Sequence, residues 1–193
     1  MNTGMIASRY ATALLGLVDE TGSGEVALAQ AQAILKALVE VPDLRRALED
    51  RTGVSGDRKI ALLETVVEGD GKGVSLAPEL RQFAKLLVRN GRIGDIVLIL
   101  KSFESEYYKS RGLVRGRLIL SSPEDTLGEE NEQRLRSLIE EKTGKKLILT
   151  TEIDESLIGG FRLEVEDRLL DASVSRQLDI IRRRFEEKNR RIV

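Results

Sequence analysis

Apolar residues in the first 111 positions recur at intervals of three and four, which is the spacing of an amphipathic helix. The pattern predicts six helices in this part of the chain. Proline in a first turn favours helix starts at Pro42 and Pro78, and Asn90-Gly91 favours the end of the fifth helix. A glycine-rich segment at 69–73 predicts a flexible loop before that helix. We therefore expect a six-helix bundle.

The pattern changes after residue 111. Apolar and polar residues alternate from 113 to 120, as in a half-buried strand. A helix over 126–142, with a Thr126–Glu129 capping box, leads to strands at 146–153, 161–165 and 168–170 and a last helix containing Val174. The strand–helix–strand order permits a parallel pair, and the short link at 166–168 permits a hairpin. The prediction is an α+β protein, with a helical bundle at 1–111 and a small mixed-sheet domain with helices at 112–193.

Composition then excludes several kinds of chemistry. The 193 residues include no His, Cys or Trp, so disulfides, thiol or imidazole catalysis and zinc sites built from Cys or His are excluded. With 31 basic and 32 acidic residues, the net charge of −1 provides no field that would attract nucleic acid. No apolar run approaches the length of a membrane span, and the N-terminus does not resemble a signal peptide. We expect a soluble, cytosolic binding or scaffolding protein without catalysis, cofactor or metal.

Two clusters of residues are candidate binding sites, one for a phosphate and one for a divalent cation. Gly159-Gly160 could cradle a phosphate, but no Lys-Ser/Thr follows and no helix begins there, so a backbone turn is favoured. The carboxylates of Glu152, Asp154 and Glu155 could bind a divalent cation, yet they lack the spacing of a calcium loop. Solvated charge at a strand end is the favoured interpretation of this second cluster.

The last helix offers two further candidates. Asp171 or Ser173 is expected to serve as its N-cap, which needs no catalytic role. The Arg-rich segment 182–191 could contact phosphates or an acidic partner helix, but stacking aromatic residues are absent apart from Phe185. A solvated helix end, where the helix dipole favours cations, is the simpler explanation.

The fifth helix is apolar over a wider arc than one buried face requires. It either runs through the middle of the bundle or exposes one flank as a groove for a partner helix. The first helix has a similar character, because small residues that permit close approach alternate with large apolar ones. The residues concerned are Ala7, Ala11 and Ala13 in the first helix, and Leu80, Phe83, Ala84, Leu86, Leu87 and Val88 in the fifth.

Three segments together resemble one known family. The segment 7–14 (ASRYATAL) is similar to its "A-x-R-Y-A-x-A-L" signature, and 87–93 (LVRNGRI) to its "L-x-x-N-G-R" signature. The segment 154–161 (DESLIGGF), followed by 171–174 and Leu178, is similar to its C-terminal pattern. The family is the δ subunit of bacterial F-type ATP synthase, whose mitochondrial counterpart is the oligomycin-sensitivity-conferring protein. The chain departs from the pattern at the 166–168 turn, which lacks a glycine, and at Ala172.

The resemblance implies a stator subunit in the peripheral stalk, without catalytic activity. It would clamp the α3β3 head to the membrane-anchored b subunits, so that rotor torque is coupled to ATP synthesis and proton transport. The N-terminal domain would bind the N-terminal helix of an α subunit between its first and fifth helices. The C-terminal domain would bind the C-terminal ends of the b subunits. The groove residues that we predict on this basis are Tyr10, Ala13 and Leu17 on one wall and Phe83 and Leu86 on the other.

The same resemblance implies a peripheral position on the cytoplasmic face of the cell inner membrane, with no nucleic acid partner and no membrane insertion. Two other classes of function remain to be distinguished from it. A nucleic-acid adaptor that uses the Arg-rich tail would bind with a steep salt dependence. An enzyme that works through carboxylates would need a pocket with converging Asp or Glu side chains, and the sequence shows none.

Overall fold

The computed structural model describes residues 3–50, 52–69, 75–122, 128–166 and 168–190. It divides the chain into two compact units, Met1–Tyr107 and Tyr108–Val193. Three of the sequence predictions lie outside the described residues: most of the 69–73 loop, the Thr126 capping box and Asp167 of the predicted hairpin turn.

All of the regular secondary structure in the described part of the first unit is helical. Pro42 and Pro78 both lie in the first turn of a helix, as predicted. The sixth helix begins later than the expected position near Arg92, because a 3-10 turn precedes it. The elements are α1 Thr3–Thr21, α2 Gly24–Glu40, α3 Pro42–Glu49, α4 Gly56–Gly69, α5 Pro78–Arg89, the 3-10 turn Ile93–Asp95 and α6 Ile96–Ser110.

The end of α5 is a Schellman motif, in which two backbone bonds satisfy carbonyl groups of the last turn. Gly91 N–H donates to the Val88 carbonyl (3.0 Å) and Arg92 N–H to the Leu87 carbonyl (2.7 Å). Gly91 adopts φ +65°, which glycine tolerates without strain. The sharp change of direction after Asn90 therefore follows from the Asn-Gly pair that the sequence placed there.

One apolar core joins the helices of the first unit. Each of α1 to α6 contributes buried side chains to a single cluster. Burying one large aliphatic or aromatic side chain stabilises a fold by about 1.5–3 kcal/mol, so this cluster is the main source of stability in the unit. The largest fully buried members are Phe103, Leu14, Ile34, Leu48, Leu63, Leu87, Ile99 and Leu100.

A buried amide fixes the chain just before α5. The Gln30 side chain on α2 is 6% exposed. Its Nε2 donates to the Ser75 carbonyl at 3.0 Å, and its Oε1 accepts from Ala77 N–H at 2.8 Å. Both polar ends of the amide are thus paired with backbone groups that would otherwise lose their hydrogen bonds on burial. The contact joins α2 to the start of α5.

A second polar contact joins the start of α5 to the α1–α2 connection. The Glu79 carboxylate accepts from its own backbone N–H and from the Thr21–Ser23 hydroxyl pair, and these interactions hold the pKa of Glu79 below its usual range. Thr21 and Ser23 are themselves hydrogen-bonded to each other at 2.8 Å. Contacts with α2 and with the α1–α2 connection therefore both fix the start of α5.

The second unit is a mixed sheet with helices, so the α+β class is confirmed. The sheet order is β2-β1-β3-β4 in the described residues. Strands β1 and β2 are parallel, and β3 and β4 form an antiparallel pair, which are the pairings that the sequence permits. The elements are β1 Leu113–Leu120, α7 Glu129–Thr143, β2 Lys146–Ile153, β3 Phe161–Val165, β4 Arg168–Asp171 and α8 Val174–Arg190.

The two faces of the sheet differ in character. One face carries the buried residues Val114, Leu118, Leu147 and Leu163, against which Leu135 and Ile139 of α7 pack. On the opposite face, the guanidinium of Arg117 in β1 pairs with Glu164 of β3 and with Glu152 of β2, the latter at 3.3 Å. The alternation along β1 thus separates an apolar core from a face that carries this charged group, although Ile119 on that second face is also buried.

We predict that Gln30→Ala lowers the free energy of unfolding by about 1–3 kcal/mol, because it leaves the buried Ala77 N–H without its acceptor. Denaturant unfolding of the full chain, followed by helical circular dichroism, measures the change. Gln82→Ala is the matched control, since Gln82 lies exposed on α5. Equal effects of the two substitutions would contradict the role given to Gln30.

We also predict a pH dependence at Glu79. Its folded-state pKa is depressed, so its stabilising contribution is present above the ordinary glutamate pKa of about 4.3 and is lost as pH falls through the folded value. Carboxyl NMR titration should give a midpoint below the ordinary value. Replacing both hydroxyl donors (Thr21→Val with Ser23→Ala) should move that midpoint upward. An unchanged midpoint in the double variant would show that the hydroxyls do not stabilise the carboxylate.

Candidate partner-binding site

Two of the segments quoted for their family resemblance meet where α1 packs against α5. The rings of Tyr10 and Phe83 lie edge to face, with centroids 6.3 Å apart and planes inclined at 71°. Asn90 Nδ2, at the end of α5, donates to the Tyr10 hydroxyl at 3.0 Å. Because Thr21 at the other end of α1 contacts Glu79 at the start of α5, the two helices run antiparallel.

The five predicted groove residues occupy different depths along this helix pair. Phe83 is 5% exposed and belongs to the core, so it lies at the base of the predicted groove and not on an exposed wall. Tyr10 and Leu17 are half-buried, and Ala13 is exposed. Leu86 is 41% exposed, one turn from Phe83 and from Asn90. The structure brings Tyr10 and Phe83 into contact and leaves Ala13 and Leu86 accessible.

Small residues of α1 serve two purposes. Ala7 and Ala11 are fully buried, and there they allow α1 to pack closely in the core. Ala13 faces solvent instead, and a Cβ added at Gly16 would meet nothing within 4 Å. The flank of α1 that carries the exposed Ala13 and the half-buried Leu17 therefore has only small or apolar side chains at these positions, and it forms a surface on which a helix could pack.

The sequence pattern does not reveal the contact that the Asn90 side chain makes with Tyr10. The Asn-Gly pair was interpreted only as a helix end, but its amide also holds the Tyr10 hydroxyl. A signal existed, since Tyr10 and Asn90 both belong to segments that carry the family resemblance. Periodicity alone could not reveal the contact, because the two residues are separated by 80 positions.

The second unit carries an apolar surface of its own on α8. Val174, Leu178 and Ile181 recur at helical spacing and are 38%, 55% and 49% exposed. Ile158 is 75% exposed, and Val174 N–H donates to the carbonyl of the adjacent Gly159 at 3.0 Å. The start of α8 and the 158–160 turn thus form one exposed apolar patch.

The residues at the start of α8 have structural roles, as predicted. Ser173 Oγ accepts from Arg176 N–H at 3.3 Å and caps the helix. Asp171 Oδ1 accepts from Ser173 N–H at 3.0 Å, and hydrogen bonds from the Ser173 side chain and backbone lower the pKa of Asp171. Gly160 forms a turn with φ +78°, and a Cβ there would lie 2.5 Å from the Ala172 carbonyl oxygen. The close approach explains the glycine without a phosphate.

The acidic cluster does not converge on a metal site. Glu152 pairs with Arg117, whereas the Asp154 carboxylate accepts hydrogen bonds from the Ser156 hydroxyl (2.6 Å) and backbone N–H (3.0 Å), which lower the pKa of Asp154. In the described ranges, no three His, Cys, Asp or Glu side chains are grouped to hold a metal ion. Arg182 to Arg184 are exposed; the side chains after Arg184 lie outside the described part.

None of the helices in the described residues is both long enough and apolar enough to cross a membrane.

The sequence profile of the family described as ATP synthase delta (OSCP) subunit matches residues 6–185. Among individual proteins, the ATP synthase subunit delta of Phocaeicola vulgatus is 33% identical over 193 residues, covering 100% of both chains. The ATP synthase subunit delta of Azobacteroides pseudotrichonymphae is 34% identical over 182 residues, covering 94% of this chain and 98% of the relative.

The fold is similar to that of a chain in the cryo-EM structure of the Toxoplasma gondii mitochondrial ATP synthase hexamer. The TM-score is 0.63 with 20% sequence identity, and the match covers 93% of this chain and 96% of the other. At that identity, the likeness supports the fold only. Taken with the profile match over most of the chain and the full-length relatives, the chain belongs to the ATP synthase delta (OSCP) subunit family, the non-catalytic peripheral-stalk subunits of F-type ATP synthase.

Proposed function

We propose that this stator subunit acts as a clamp between the α3β3 head and the membrane-anchored b subunits. The rotor applies torque to the head, and the clamp prevents the head from turning with it, which couples rotation to ATP synthesis and proton transport. The observation that carries this proposal is the uncovered apolar flank along α1 and α5, built on the contact of Tyr10 with Phe83 and Asn90. A protein without catalytic groups can perform this role through binding alone.

The proposed partner of that flank is the N-terminal helix of an α subunit. In this proposal, residues 1–111 form a six-helix bundle that binds the head. The exposed side chains of Ala13 and Leu86 and the half-buried Leu17 would contact the apolar stripe of the α helix. Phe83 would contribute indirectly, because it is buried beneath this surface and supports the Tyr10 ring. Helix-in-groove binding concentrates its energy in a few such apolar contacts.

The proposed partner of residues 112–193 is the C-terminal ends of the b subunits. The patch of Ile158, Val174, Leu178 and Ile181 supports this assignment, because an apolar helix stripe that the unit's own core does not cover is suited to pack against another helix. The arrangement would place the two partners on separate units of one chain. The subunit would then be a peripheral protein on the cytoplasmic face of the cell inner membrane, held there by its partners.

We predict that Leu86→Ala weakens binding of a peptide of the cognate α subunit's N-terminal helix to the full chain by about 1–3 kcal/mol. Folding stability should change little, since Leu86 is 41% exposed. Titration calorimetry measures the affinity, and docking of apolar surface should give a negative heat-capacity change. Leu98→Ala is the matched control: Leu98 is 48% exposed on α6. Wild-type affinity in Leu86→Ala would remove this residue from the site.

Phe83→Ala should behave differently from Leu86→Ala. Because Phe83 lies in the core, its truncation should lower the free energy of unfolding by about 3–5 kcal/mol. Thermal unfolding of the two variants side by side would separate a supporting residue from a contact residue. Equal melting temperatures would contradict the depths assigned to these two side chains.

In the second unit, we predict that Leu178→Ala weakens binding of the full chain to a peptide of the cognate b subunit's C-terminal end by about 1–3 kcal/mol. The reason is the loss of an exposed apolar contact in the middle of the α8 stripe. Leu138→Ala on α7 removes a leucine of similar exposure (47% against 55%) and should bind like the wild type. If both variants lose affinity equally, the patch on α8 is not the binding surface.

A further inference from the structure

Strand β2 is an edge of the sheet, and its backbone groups point alternately toward β1 and away from it. Lys146 N–H donates to the Gly112 carbonyl at 2.9 Å, and Asp154 N–H donates to the Leu120 carbonyl at 2.9 Å. The even-numbered residues of β2 therefore bond to β1. The groups that point outward belong to the odd-numbered residues Leu147, Leu149, Thr151 and Ile153.

Helix α7 closes one end of this edge. Arg136 Nη1 donates to the Leu147 carbonyl at 3.1 Å, and Leu147 N–H donates to Glu140 Oε1 at 3.1 Å. Within the described residues, no comparable contact reaches the outward backbone groups of 149–153. Ile153 is also 51% exposed, so an apolar side chain lies at the uncovered end. One end of the edge is thus protected, whereas the rest is accessible to a further strand.

The charges along β2 are separated by sign. Lys145 and Lys146 lie at its start, whereas Glu152, Asp154 and Glu155 lie at its end. Two copies of β2 in antiparallel order would place the basic start of each beside the acidic end of the other. In parallel order, like charges would meet, which is destabilising. The strand is therefore complementary to an antiparallel copy of itself.

We propose that this edge pairs with the same edge of a second copy of the chain, about a two-fold axis at Thr151. Thr151 lies opposite Thr151 of the other copy, and Leu149 lies opposite Ile153 on both sides of the axis. Each of these three pairs exchanges two backbone hydrogen bonds. The two four-stranded sheets join into one continuous sheet. Because a two-fold contact uses the same patch on both copies, it closes at a dimer.

The side chains favour this register over its neighbours. A shift that places Glu152 opposite Glu152 brings like charges together and leaves only two pairs of outward residues. The reverse shift also leaves two, because Leu147 is already bonded to α7. In the proposed register, the exposed Ile153 packs beside Leu149, and Glu152 lies opposite the uncharged Thr150. The contact is small for a permanent interface, so the dimer dissociates on dilution.

Sedimentation velocity of the full chain, from micromolar to millimolar concentration, measures the dimer. Thr151→Pro should raise its dissociation constant roughly tenfold or more, because it removes an outward N–H donor from each copy at the axis. Thr151→Ala is the matched control, since it keeps the N–H and should dimerise like the wild type. Circular dichroism checks that both variants are folded. A wild-type chain that stays monomeric at millimolar concentration would overturn the proposal, as would equal dimerisation of the two variants.

Crosslinking tests the register without a proline. The chain contains no cysteine, so Thr151→Cys introduces a single thiol. In the proposed pair, the two Cα atoms at position 151 are about 5.5 Å apart, a separation that a disulfide can span. Mild oxidation should therefore give a covalent dimer in non-reducing electrophoresis. Thr65→Cys, at an exposed position on α4, is the control and should remain monomeric. Equal yields of dimer from the two variants would indicate random collision and overturn the pairing.

Discussion

The contact of Tyr10 with Phe83 and Asn90 is the interaction on which the proposed head-binding surface depends. The Phe83 ring is anchored in the core, the Tyr10 ring lies against its edge, and the Asn90 amide fixes the Tyr10 hydroxyl. A half-buried tyrosine can satisfy both requirements because its ring is apolar and its tip is polar. With these three side chains in place, the adjoining flanks of α1 and α5 form one continuous surface.

The other polar contacts of the first unit support the same helix from its start. Gln30 holds the backbone of 75–77, and the Glu79 carboxylate is bonded to the hydroxyls of Thr21 and Ser23. A surface that is rigid before its partner arrives loses little conformational entropy on binding, so more of the contact energy is available as affinity. This property suits a stator subunit, which must remain bound under load.

In the second unit, too, the helix that carries the proposed binding surface is held at its start by specific contacts. Its core lies between one face of the sheet and α7, and no apolar side chain in the described part of α8 belongs to it. The capped start of α8 is held against the 158–160 turn by the bond from Val174 to Gly159. These contacts fix the first turn of α8 and leave its apolar stripe exposed. Such a stripe is available to bind a partner helix.

The sequence by itself determined the elements, because helix periodicity, strand alternation and the punctuation by Pro42, Pro78 and Asn90-Gly91 are local properties. It also determined the family, through segments whose order and spacing are specific, and it permitted the parallel and hairpin pairings of the sheet. Tertiary structure alone decided the depth of each groove residue. Phe83 and Leu86 have the same apolar character in the sequence, but the packing of α5 buries one and exposes the other. Likewise, no local pattern could bring Tyr10 to Asn90, because such a contact arises only when distant helices pack together.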